Sequence, residues 1–329
     1  MSLANLVRAA VAGNGEESTA RNKILFTGCG TSGRLGWYAA ASLNAYLGAH
    51  GRPAAFCYAH SGGDVALLLS RELPEDDPAL GVADMEAALG SDTEAAVVVG
   101  ISCGLSAPYV AGQMAHCLEH LDRYSPVLVG FNPVALSRDA PIEGWDQTFR
   151  QVATAVDAAQ RSATGSGGSD GAVAGTCLVI NPVVGPEPIT GSTRMKGGSI
   201  TKILIDAACA SALGAVEAGR PAVDRRAILA ALALHEEAYR QTYLQVEALG
   251  AGIAVGGEAV SAGGHVYYLG AGSAGLMGLI DASEMVDTYG APPGEIKAFV
   301  AGGWSAMANV EVCGVCEWVV CGVWCVLCL

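Results

Sequence analysis

Lys23-Ile-Leu-Phe-Thr-Gly-Cys-Gly-Thr-Ser-Gly-Arg34 runs an apolar strand-like stretch into two glycines and two hydroxyls, and then into a helical pattern. Residues of these types at this spacing build an anion site. A helix predicted to begin near Gly33 leaves its first backbone N–H groups without intrahelical partners, and its dipole favours negative charge there. Gly28 and Gly30 permit a tight turn and a close backbone approach, while Thr31 and Ser32 add hydroxyl donors. Phosphate is the expected occupant. Gly28-x-Gly30-x-x-Gly33 also fits the dinucleotide fingerprint, which needs an acidic residue at the end of the following strand. That strand, Ala54 to Ala59, ends instead in His60-Ser61-Gly62-Gly63, with Asp64 beyond the loop. The Gly-Lys-Ser/Thr ending of an ATP-binding loop is absent too.

Two further loops offer donors. Ile101-Ser-Cys-Gly-Leu-Ser-Ala-Pro108 follows a strong strand signal and precedes a helix, which puts Ser102 and Ser106 at the same sheet edge as Thr31 and Ser32. Either serine is equally at home as a helix N-cap. The Pro- and Gly-rich stretch 181–199 ends in Ser192, Thr193, Arg194 and Lys196, a dense donor cluster in a chain with only 18 basic residues.

The elements that must position these loops alternate. Strands are predicted at Ile24–Thr27, Ala54–Tyr58, Ala95–Ile101, Val127–Phe131 and Cys177–Ile180, and helices at Gly33–Leu47, Val65–Arg71, Val82–Leu89, Tyr109–Leu121 and Gln147–Gln160. Continuous apolar strands separated by helices imply a doubly wound α/β fold, a parallel sheet flanked by helices that binds ligands at the carboxyl ends of its strands. From Ser199 to Val260 the pattern is almost wholly helical.

The opening motif then returns. His265-Val-Tyr-Tyr-Leu-Gly-Ala-Gly-Ser-Ala-Gly-Leu276 places Gly270, Gly272 and Gly275 where the first copy has Gly28, Gly30 and Gly33, a constant offset of 242 residues. Such a spacing marks a duplicated domain. The second loop keeps Ser273 but has Ala274 and Leu276 in place of Ser32 and Arg34, so its own anion site is expected to have lapsed.

Composition bounds the partners. At 329 residues and 51% hydrophobic content the chain can bury a large core across two domains. A net charge of −14 argues against nucleic acid and anionic membranes. Residues 1–22 carry charges and no apolar run of signal-peptide length. Six cysteines between Cys29 and Cys209 sit in apolar stretches, as in reduced cytoplasmic or nuclear proteins. No cofactor or metal is expected.

Gly28–Arg34, Glu75-Asp-Asp77, Gly104-Leu-Ser-Ala-Pro-Tyr-Val-Ala-Gly-Gln113 and Gly191-Ser-Thr-Arg-Met-Lys-Gly-Gly-Ser199 together resemble the sugar isomerase (SIS) domains of glucokinase regulatory proteins and the related N-acetylmuramic acid 6-phosphate etherases. Gly130-Phe-Asn-Pro-Val134, Pro141-Ile-Glu-Gly-Trp145 and the two SIS-type units in one chain favour the regulatory side. The resemblance implies a first SIS domain over 1–218, a helical connector over 219–262, a partial second SIS unit over 263–308 and an anomalous Cys-rich tail over 309–329. It implies one sugar-phosphate site between the halves, for a ligand of the fructose 6-phosphate or fructose 1-phosphate type. Gly28, Gly30, Thr31, Ser32, Ser102 and Ser106 match phosphate and loop positions, and Glu75, Thr193, Arg194 and Glu284 match sugar-facing ones. The implied role is non-catalytic sensing in carbohydrate metabolism with a hexokinase or glucokinase partner. The alternative is an etherase using Glu75 and Glu284 as acid and base. Ser42 stands where the first unit would need its own carboxylate.

The resemblance also implies an N-terminal helical segment, whereas this chain is read as starting almost at its first strand. Its kinase-contacting surfaces are expected to lie largely outside the sequence. In the tail, Cys313, Cys316, Cys321, Cys325 and Cys328 alternate with Val, Gly and Trp, and no continuing periodicity is expected.

Overall fold

The computed structural model describes residues 2–14, 21–68, 73–163, 172–189, 195–303 and 325–328. The chain divides into two units, Met1–Ala66 with Arg71–Ile228, and Leu67–Ser70 with Leu229–Leu329.

The first unit is built on five parallel strands: β1 (Asn22–Gly28), β2 (Phe56–His60), β3 (Ala95–Ile101), β4 (Tyr124–Val129) and β5 (Leu178–Ile180), in the order β2-β1-β3-β4-β5. Runs such as Ile24-Leu25-Phe26 and Val97-Val98-Val99 are fully buried because helices cover both faces. Leu25, Val98 and Leu128 pack with Met85, Tyr109, Met114 and Phe149 from α4 (Pro78–Leu89), α5 (Pro108–Glu119) and α6 (Phe149–Ala163). α1 (Leu3–Gly13) and α2 (Gly30–Ala49) each pack on α7 (Lys196–Glu217) and against β1 and β3. α3 (Val65–Leu68) is a single turn after β2.

Three expectations change. The chain does not open on its first strand: α1 precedes it, capped by Ser2, whose hydroxyl accepts from the Asn5 amide at 3.4 Å. Its short Leu/Ala/Val pattern owes its stability to burial of Leu6 and Val7, more than to length. α2 begins at Gly30, because the glycine loop closes its turn sooner than the apolar pattern indicates. β4 starts at Tyr124 and includes Pro126, which reads locally as a strand breaker yet lies inside a central strand.

α7 is, among the described residues, the one helix long and apolar enough to cross a bilayer, and it packs against α1 and α2 with Ile205, Ala212 and Leu213 buried.

The second unit contains most of α8 (Arg225–Tyr243), then α9 (Val246–Ser261), β6 (Val266–Gly270), α10 (Gly272–Tyr289) and β7 (Ile296–Val300), with β6 and β7 parallel. Its strand, loop and helix repeat the first unit's contacts at the 242-residue offset. Gly30 has φ +49° and Gly272 +55°. A β-carbon on Gly33 would lie 2.5 Å from the Gly28 carbonyl oxygen, and one on Gly275 would lie 2.8 Å from that of Gly270. In the tail, Cys325–Cys328 forms β8, antiparallel to β6 with Leu269 opposite Cys325, so this short piece continues the sheet where no periodicity was expected. Cys313, Cys316 and Cys321 lie outside the described residues.

Candidate functional site

The chain passes from β1 outward to β2 and then returns to β3 on the other side of β1. At such a reversal the loops leaving the two neighbouring strands diverge and open a crevice at their carboxyl ends. Gly28 stands level with both His60 of β2 and Ile101 of β3, so the loops 28–31 and 102–107 leave from one edge.

α2 rises from this edge on Cys29, an extended N-cap with φ −111° and ψ 155° that makes no side-chain cap hydrogen bond among the described residues. Its first turn therefore lies at the carboxyl ends of β1 and β3. Only glycine fits at residue 33, since a β-carbon there would also lie 2.6 Å from Cδ2 of His60. Ser32 Oγ lies 3.5 Å from the Cys103 thiol, which is itself 3.9 Å from Thr201 Oγ1 on α7. Burial pushes the Cys103 thiol up, outweighing the hydrogen bonds from Ser32 and Thr201, and burial with the nearby Glu75 and Asp76 pushes Cys29 up further. Both thiols are protonated at neutral pH and suited to packing, not nucleophilic attack.

Glu75 sits in the 3-10 turn Leu73–Asp76, with its Oε1 3.9 Å from where a β-carbon on Gly30 would be. The carboxylate thus stands beside the glycine loop. It is placed to accept from a ligand's hydroxyl groups, while a phosphate would be repelled from it and drawn to the helix end. Ser102 is buried and its hydroxyl accepts the amides of Ser106 at 3.0 Å and Ala107 at 3.3 Å, so it performs the capping role. Ser106 is exposed on the same loop. Between them Leu105 has φ +52°, a strained conformation for a branched side chain, held by its complete burial and by the Arg138 amide donating to its carbonyl. The Arg138 guanidinium then bridges Asp76 at 3.1 Å and the Ser106 carbonyl at 3.3 Å, tying the Glu75 turn to the serine loop.

His60 underlies the glycine loop. Its Nδ1 faces the Ser61 carbonyl at 2.7 Å and its Nε2 faces that of Gly30 at 3.1 Å. Two acceptors reward a charged ring, but burial, reinforced by Arg34, wins and lowers its pKa to about 4.

At α7 the helix end is already occupied by a protein carboxylate. Glu187 accepts the amides of Lys196 and Gly197, each at 2.8 Å. Thr193 and Arg194 lie outside the described residues. Ser42 of α2 has its hydroxyl buried with no partner among the described residues. Glu284 belongs to α10 in the second unit, where it is buried at 9% exposure.

Sequence reasoning passed over Arg138, Glu187 and Cys103. Each acts through a partner distant in sequence, and only the Pro-rich context of Glu187 marked its loop as unusual.

The family model of the glucokinase regulatory protein N-terminal SIS domain matches residues 3–118, and that of the second SIS domain of glucokinase regulatory protein matches residues 243–316. The glucokinase regulatory protein of Xenopus laevis is 41% identical over 289 residues, 88% of this chain and 44% of that protein. The Homo sapiens protein of the same name is 35% identical over 286 residues, 87% of this chain and 44% of its own length. An N-acetylmuramic acid 6-phosphate etherase of Pectobacterium atrosepticum is 32% identical over 190 residues, 57% of this chain and 48% of the enzyme. The chain thus spans less than half the length of the regulatory proteins it matches.

Proposed function

Because the chain belongs to the glucokinase regulatory protein family of SIS-domain proteins, we propose that it binds a phosphorylated hexose without turning it over and acts as a regulator of glucokinase. The observation that carries this reading is the contrast between two helix ends. α7 has Glu187 on its first amides, whereas the N-cap of α2, Cys29, makes no side-chain cap hydrogen bond among the described residues and the helix starts at the carboxyl ends of β1 and β3. A helix N-terminus on a glycine loop favours a phosphate dianion through its dipole and its backbone N–H groups. In this reading the amides of the Gly28–Gly33 loop, Thr31, Ser32 and the 102–106 loop hold the phosphate, and Glu75, Thr193, Arg194 and Glu284 face the sugar. Fructose 6-phosphate and fructose 1-phosphate are the proposed ligands, and the cytoplasm or nucleus the proposed compartment. Neither nucleic acid nor a membrane is a proposed partner, given the net charge of −14.

A thermal-shift screen against hexose phosphates tests this. A ligand at 100 times its Kd should stabilise the fold by roughly 2.7 kcal/mol. No shift with any hexose phosphate would overturn the binding reading. A shift without any ligand-dependent effect on glucokinase activity would overturn the regulatory one. The etherase similarity keeps a second reading open to test, with Glu75 and Glu284 as acid and base. Lactate released from N-acetylmuramic acid 6-phosphate by the chain, and lost in Glu75→Gln, would establish it in place of the first.

A further inference from the structure

The last turn of α5 and its C-cap read His116-Cys-Leu-Glu119-His120, a spacing independent of the glycine loop and unused by the reading above. His120 leaves the helix at φ −127° and ψ 49°, and its ring comes to lie beside that of His116. Their ring centroids are 4.5 Å apart with the planes tilted by 52°. One ligating atom from each of His116, Glu119 and His120 lies within 4.8 Å of the other two, a separation that small rotamer changes bring to the reach of a single ion. Cys117, between them in sequence, faces the other way, with its thiol 3.8 Å from Met85 Sδ in the core.

The surroundings of His116 are those of a metal-bound imidazole. Its Nε2 lies 3.1 Å from Glu86 Oε1, and Glu86 is fixed in turn by the Tyr124 hydroxyl at 2.6 Å and by Arg123 at 3.4 Å. A carboxylate on one ring nitrogen sets the tautomer, orients the ring and raises the basicity of the other nitrogen. Glu119 and His120 are exposed, which leaves an entry path and room for solvent ligands. His116 and Glu119 also line a cleft of about 740 Å³ whose walls carry Asp76, Asp77 and Glu143 against one arginine, Arg138, which is paired with Asp76. The acidic field that works against a phosphate works for a cation here.

We propose that His116, Glu119 and His120 form a binding site for a divalent transition metal of the zinc class, with Glu86 as the residue that orients His116. Two imidazoles and one carboxylate select zinc, cobalt or nickel over calcium and magnesium, which prefer all-oxygen ligands. Three protein ligands leave a coordination position for water on the cleft side. The H-x-x-E-H order is one that metal-binding helices use.

The test is titration of the full, metal-stripped chain with Co²⁺, followed by competition with Zn²⁺. A single ion should bind with visible ligand-field absorption and without the thiolate charge-transfer band that the chain's cysteines would produce. His120→Ala, an exposed change that should leave circular dichroism and melting in chelator as they were, is expected to weaken binding by more than about 100-fold, beyond the cost of losing an outer-shell partner. Glu86→Gln should weaken it by about 10-fold. Unchanged Co²⁺ affinity in the double variant His116→Ala/His120→Ala, a thiolate band as the sole signature, or no binding at all would each overturn the proposal.

Discussion

The hydroxyl of Ser32 meets the thiol of Cys103 at 3.5 Å, although 71 positions separate them in sequence. This contact brings the loop after β1 against the loop after β3. Since the thiol is a weak partner, Ser32 loses little by turning its hydroxyl to an anion at the α2 terminus.

Ser32→Ala is therefore expected to fold normally and to bind hexose phosphate more weakly by roughly 1.5–3 kcal/mol, the range for a hydrogen bond to a charged group. Isothermal calorimetry checks this. Equal affinity would reduce Ser32 to a packing contact with Cys103.

The α4–α5 crossing should be intolerant of a single methyl group. A β-carbon on Gly112 would lie 2.3 Å from the Pro78 carbonyl oxygen, and one on Gly81 would lie 2.2 Å from that of Tyr109. Both obstacles are backbone, so relief requires the helices to part. Gly112→Ala should destabilise by about 1–3 kcal/mol in urea unfolding, as overpacking does. An unchanged midpoint would mean that the helices are free to separate.

His60 should make stability depend on pH in the acid range. Its ordinary pKa of 6.5 falls to about 4 in the folded chain. Between these values the unfolded chain binds a proton that the folded one does not, so stability falls as pH drops through the window and is fully present above 6.5. The full loss amounts to about 3 kcal/mol. Urea unfolding of wild type and His60→Gln across this range should give a shallower slope for the variant. Parallel slopes would assign the acid sensitivity to other groups.

If sugar discrimination needs the second unit, a chain ending after Asp224 should bind inorganic phosphate as the full chain does while losing preference among hexose phosphates. That end point keeps the hydrogen bond from the Val223 amide to Asn5 at 2.7 Å, which ties the segment to α1. Because Glu284 is buried, Glu284→Gln is the companion variant, preserving shape while removing charge. Competition titrations with fructose 6-phosphate, glucose 6-phosphate and phosphate read the outcome. Unchanged preference in both proteins would confine recognition to the first unit.

What was legible in the sequence follows from the range over which each cause acts. The parallel sheet was legible because strands buried on both faces must be apolar throughout, as Ile24-Leu25-Phe26 and Val97-Val98-Val99 are. The glycine loop was legible because its constraints are backbone collisions between near neighbours, Gly28 with Gly33. Glu187 was not, since a cap reaching across nine or ten residues leaves no local signature, and neither was the clamp of Arg138 on Asp76, formed between residues 62 positions apart. α1 escaped because a short apolar helix is recognised only through what it packs upon.

The matching contacts of Gly33 and Gly275 bear on how this motif should be used elsewhere. In both copies the glycines are imposed by the helix start pressing on the end of its own strand, a collision that exists whether or not a ligand ever arrives. A pattern built from the glycines alone will score the two loops alike. In the reading proposed above, what separates the two loops lies in the residues between and after the glycines: Ser32 and Arg34 in one copy, Ala274 and Leu276 in the other, with Arg34 buried and donating to the Ala66 carbonyl at 3.0 Å. A search weighted on those places would rank duplicated chains of this kind by chemistry, where the glycines rank them only by geometry.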